Sequence, residues 1–149
     1  MVDWKDELET YLHEQKKTKR ELKEKKEEMQ QAVKLFIQGE VLAAFSDLKK
    51  EFKKHKRDVD IDSKKDWAAI LIKKNKHKEF VYEVNIAMDD GNLLASKSVY
   101  IPNEKGKLKL GVEGKIKNSS SSMKINKIDK DDIISDFLEA YKNATRIKQ

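Results

Sequence analysis

The chain of 149 residues contains no cysteine, and that absence removes disulfides, thiolate zinc sites and cysteine nucleophiles together. Glycine occurs only five times, at turns and within the stretch holding Gly111 and Gly114, and no GxGxxG, Walker-type loop or nucleophile elbow can be read. A glycine-rich phosphate cradle is therefore not expected. Arginine is scarce as well. Arg20, Arg57 and Arg146 are the only side chains offering the planar fork favoured in phosphate and guanine recognition, so the net charge of +6 is carried almost wholly by lysine. That excess is spread evenly, with 15 basic and 12 acidic residues up to Arg57 and 18 and 15 beyond it.

Long apolar runs are missing too. The longest, Val41 to Phe45 and Trp67 to Ile72, fall far short of the roughly 20 residues that span a bilayer. The opening MVDWKDELET is charged from its third residue and has no apolar signal segment, so the expectation is a soluble, cytoplasmic protein with no membrane partner. His13, His55 and His77 fall on separate segments among lysines, without a second ligand at metal spacing, and no metal or cofactor is expected.

Charge is plentiful: 40% of residues are charged against roughly a quarter in ordinary proteins, so surface is abundant relative to core. The first 38 residues account for much of it. Trp4, Leu8, Leu12, Leu22, Met29, Val33 and Phe36 recur at intervals of three or four residues or sums of these in a field of lysine and glutamate, which predicts a long charged helix with a narrow apolar seam. Between His13 and Glu28 opposite charges stand four apart, as in Lys17 with Glu21 and Arg20 with Glu24, and support a solvated helix. Imposing a strict heptad places Gln15, Thr18 and Lys25 in the seam, a mediocre coiled-coil register.

Residues 39–149 read as an α+β domain. Val41, Phe45, Leu48 and Phe52 keep helical phase across Gly39 and form a strong apolar face, closed by the basic run Lys49, Lys50, Lys53, Lys54, Lys56 and Arg57. Beyond Arg57 the period becomes two. Strands are predicted over 67–73, 80–88, 93–101, 107–117 and 122–127, with a short one at 58–62, and Asp90-Gly91 marks a hairpin. Short reversals imply an antiparallel meander of about five strands. A final helix is predicted from a capping box of Asp129 and Asp132, with a stripe of Ile133, Ile134, Phe137, Leu138, Tyr141 and Ala144. Helices from both ends of the chain should then cover one face of the sheet.

Two patterns invite catalytic readings. Asp58, Asp60 and Asp62 resemble the start of a calcium loop, but Ser63 and Ala69 stand where its glycine and closing glutamate belong. An acidic edge strand explains them as well. Glu113-Gly114-Lys115 resembles the acid-x-lysine element of metal-dependent nucleases, yet the upstream aspartate has no equivalent, and alternating charge on a solvated strand reads the same residues without chemistry.

The expectation is thus a non-enzymatic interaction module, engaging a protein partner or a second copy through Trp4, Leu8, Tyr11, Leu12 and Met29. The alternative is association with nucleic acid through the Lys49–Arg57 run and a lysine face of the sheet formed by Lys107, Lys109, Lys115, Lys117 and Lys124 with Tyr100.

Overall fold

The computed structural model describes residues 3–146. Beyond Arg57, the stretches of alternating character pair each with the next along the chain: β1 (Asp58–Lys64), β2 (Trp67–Lys74), β3 (His77–Asp89), β4 (Asn92–Pro102) and β5 (Leu108–Lys115). Every pairing is antiparallel and the order is β1-β2-β3-β4-β5, so the domain is an α+β fold built on a five-stranded meander. Asp90 and Gly91 take up positive φ (49° and 75°) in the β3–β4 hairpin, as that dipeptide favours.

Three α-helices accompany the sheet among the described residues. They are α1 (Trp4–Phe36), α2 (Leu42–Lys54) and α3 (Lys130–Arg146), with a π-helical turn, Ile37–Val41, between the first two. The backbone does not break at Gly39: Phe36, Val41 and Leu42 all hold right-handed helical angles. The wider turn has a reason in the apolar spacing. Val33, Ile37, Val41 and Phe45 stand four apart, a period that drifts by roughly 40° per step on an α-helix, and a turn with an extra residue absorbs that drift. All four are buried. α2 ends in a Schellman motif, with Arg57 N–H donating to Phe52 O, Lys56 N–H donating to Lys53 O, and Lys56 at φ 59°. α3 opens on the expected box, in which Asp132 N–H donates to Asp129 Oδ1 and Asp129 N–H donates to Asp132 Oδ2.

Backbone contacts divide the chain into residues 1–32 and 33–149. The second unit holds the core. Val33, Phe36, Ile37, Val41, Phe45 and Leu48 pack with Ile70, Ile72, Phe80, Tyr82, Val84 and Val99 of the sheet and with Ile133 and Phe137 of α3. Aromatic rings meet edge to face at its centre: Phe80 and Tyr82 lie 5.3 and 5.4 Å from Phe137, and Phe45 is 6.2 Å from Tyr82.

The C-terminal part of the sheet departs from expectation in two places. Residues 122–127 do not form a strand: one bridge joins Lys124 to Leu94, Ala95 N–H donates to Met123 O, and a 3-10 turn follows at Ile125–Lys127. Ser121 at φ 54° interrupts the extended run, and the Asn118 side chain holds the serine loop by donating to Ser122 O and accepting from Ser120 N–H. In β5 the ladder pairs Val112 with Val99 but Leu110 with Tyr100, so Gly111 is bulged out and the alternation reverses. Leu110 consequently faces away from the core. Val112 keeps the core side but lies on an edge strand, and both remain about half exposed.

Candidate functional site

In α1 the residues singled out for association, Trp4, Leu8, Tyr11 and Leu12, follow one another at i, i+4, i+7 and i+8, which places them on a single helical face. Trp4 is 66% exposed, Leu8 48%, Tyr11 55% and Leu12 47%; Leu22 continues the exposed row, and Met29 is half-buried. Gln15 extends the face with polar character, its amide donating to the Tyr11 hydroxyl at 2.7 Å. Among the described residues, none of the charge pairs expected between His13 and Glu28 closes to within 4.0 Å, as long solvated side chains allow, since each pair is worth only a few tenths of a kcal/mol.

α3 carries the opposite anomaly. Asp136 is 1% exposed in the middle of its apolar stripe, where Oδ2 accepts the Tyr82 hydroxyl at 2.7 Å and Oδ1 accepts both Lys97 Nζ at 2.7 Å and the Lys117 backbone N–H at 3.1 Å. Lys97 is itself 9% exposed. Burial first, and then the Asp136 charge and hydrogen bond, push the Tyr82 hydroxyl well above its ordinary pKa, so Tyr82 remains a donor. The carboxylate thus joins β3, β4, α3 and the segment after β5 at one point. Sequence reasoning passed over this network, although its signal was present: Asp136 lies three residues after Ile133, in phase with the core, and Lys97 alternates with Ala95 and Val99.

The lysines proposed for nucleic acid divide into two groups. Lys50, Lys53, Lys54 and Lys56 are exposed at the end of α2, with Lys49 and Arg57 half-buried beside them. The sheet lysines do not assemble into one face. Lys109 is in register with Ile101 and Lys115 with Ser96, which point to opposite sides of β4; Lys107 stands in the β4–β5 turn, Lys117 pairs with Glu139 of α3, and Lys124 lies in the loop beside Leu94. The bulge at Gly111 separates Lys109 from Lys115, while the other three lie outside the strands. On the side away from the helices, the register instead brings Leu71, Val81, Tyr100 and Leu110 into one row, beside Ala69, Glu83, Ser98 and Glu113 in the next.

Neither catalytic pattern gathers a wider constellation. Asp58, Asp60 and Asp62 alternate along β1, where Asp60 pairs with Lys73 at 2.7 Å. Glu113 and Lys115 stand opposite Ser98 and Ser96. Among the described residues no group of three His, Asp or Glu side chains is placed to hold a cation, and no helix is long and apolar enough to cross a membrane. A groove of about 450 Å³ runs between α2 and α3, floored by Leu48, Phe52, Ile134 and Leu138 with Asp47 and Glu51 on its rim.

Comparison with protein-family models, with curated proteins and with solved structures gave no match to this chain.

Proposed function

We propose that the protein is a non-enzymatic interaction module whose N-terminal helix engages a second copy or another protein through Trp4, Leu8, Tyr11, Leu12 and Met29. The observation that carries this reading is the exposure of four large apolar side chains on one face of α1, each close to half or more in solvent. Singly exposed apolar residues are commonplace, but a contiguous patch of tryptophan, tyrosine and leucine has the composition of contact surfaces. The heavy charge around it leaves the seam as the main exposed apolar feature of residues 4–32.

The test uses the whole chain with Leu8→Glu and Leu12→Glu together, measured by light scattering and by proteins retained through mild purification. The substituted chain is expected to lose a mass or a partner that the natural chain carries. Equal monomer masses and identical retained proteins would contradict the reading.

A second reading is association with nucleic acid, supported by the exposed lysines at the end of α2. It requires binding that weakens steeply as salt rises, because neutralised phosphates release counterions. Absence of any shift of single- or double-stranded probes at low salt removes it.

A further inference from the structure

Four cations surround one cavity at the end of the domain where α2 gives way to β1. Arg57 follows the Schellman turn, Lys74 ends β2, and Lys142 and Arg146 occupy the last two turns of α3. With Glu79 and Tyr141 they line a space of about 530 Å³. Glu79, the single carboxylate of the lining among the described residues, is already engaged: its Oε1 accepts the Tyr141 hydroxyl and lies 3.7 Å from Arg57 Nε, an ion pair too long for a hydrogen bond. Arg57 Nη1 donates to His55 O at 3.0 Å, yet the buried Nε has no acceptor among the described residues.

Helix chemistry accounts for part of this arrangement. Lys142 and Arg146 suit the carbonyl end of α3, and the bond from Arg57 to His55 O helps close α2. It does not account for Lys74, which comes from the sheet, nor for a buried guanidinium N–H without an acceptor, a group that ordinarily finds one. Among the described residues, four positive side chains against one negative leave a net charge of +3 on the lining, and two of the four are guanidinium groups in a protein that has only three. The volume lies in the range of small-molecule sites and is more than a bare anion needs.

We propose that this cavity binds a phosphate dianion carried by a small molecule, with Arg57 and Arg146 as directional donors and Lys74 and Lys142 supplying charge. Arginine matches tetrahedral oxyanions through paired N–H donors, while lysine contributes a compact positive charge without fixing orientation. The site is independent of the α1 seam, since none of its residues lies in α1.

The test follows the arginine Nε–H signals of the intact chain by nitrogen-15 NMR while inorganic phosphate, glucose 6-phosphate or sodium chloride is added at constant ionic strength. Three arginines give three resolvable probes, and Arg20 is the internal control. Saturable movement of the Arg57 and Arg146 signals with an apparent Kd of about 1 mM or tighter is expected, with Arg20 unmoved. Tighter binding of glucose 6-phosphate than of inorganic phosphate supports a phosphate carried by a small molecule, and equal or weaker binding contradicts it. Arg146→Gln, on an exposed side chain, and Lys74→Gln should each weaken binding about tenfold, as loss of a charge-assisted contact does. The proposal is overturned if neither phosphate nor glucose 6-phosphate gives saturable movement, if chloride moves the signals equally, if Arg20 moves with the others, or if only an added oligonucleotide moves them.

Discussion

α1 and α3 violate the same rule in opposite directions. One leaves tryptophan, tyrosine and leucine in water; the other buries a carboxylate in a ring of apolar side chains. The contrast separates two ways in which a helix can be specified. α3 is fixed by what it packs on: Phe137 and Ile133 are fully buried, and Asp136 binds partners on three other segments, so its position along the sheet is set by hydrogen bonds as well as by shape. Residues 4–32 of α1 are rich in strong helix formers, and their large apolar side chains are mostly exposed.

Asp136→Ala should be the most damaging single change. It strands the Lys97 ammonium and the Tyr82 hydroxyl in the core, and loss of one partner from a buried ion pair costs about 3–5 kcal/mol, readable as a shift of the urea midpoint. Replacing both charges, with Asp136→Leu and Lys97→Met together, should recover part of that loss, because it removes the stranded ammonium but still leaves the Tyr82 hydroxyl and the Lys117 N–H without their acceptor. A double variant as unstable as the single one would show that geometry rather than charge balance is at stake.

A weaker effect is expected in alkali, from two tyrosines around α3. Burial, followed by the hydrogen bond to Glu79, raises the Tyr141 hydroxyl to about 12, and Tyr82 is raised as well. Both hold their protons more tightly folded than unfolded, where tyrosine titrates near 10. Stability should therefore be complete below about pH 10 and fall as pH rises from there through the folded values. Urea midpoints measured across that range should drop for the natural chain and drop less for Tyr141→Phe. Least sensitive of all should be α1: Leu8→Glu with Leu12→Glu is expected to move the unfolding midpoint by no more than about 0.5 kcal/mol, the usual range for exposed positions. A loss of several kcal/mol would mean that the seam belongs to the core.

The legible parts of this fold were those governed by local periodicity. The alternation from Phe80 to Met88, the Asp90-Gly91 turn and the Asp129 to Asp132 box are each written within a dozen residues, and the meander and α3 follow from them. Effects that depend on pairing were harder to read. The bulge at Gly111 arises where β5 meets β4, and it put Lys109 and Lys115 of the expected lysine face on opposite sides of the sheet. The strand expected at 122–127 shrank to one bridge because Asn118 and Ser121 bend the chain before a ladder can form. Asp136 and Lys97 become intelligible only as a pair 39 residues apart, since either alone at a core position looks like a defect. The basic cavity has the same character, with contributors drawn from β2, β3, α3 and the end of α2.

The central claim, that the α1 seam is a contact surface, is tested most directly by light scattering of the natural chain and the Leu8→Glu, Leu12→Glu chain side by side, each with the proteins it retains through mild purification. The account predicts that the natural chain carries a second copy or a bound partner and that the substituted chain is a bare monomer of unchanged stability. Two bare monomers of equal mass, or a partner kept by both, would contradict it.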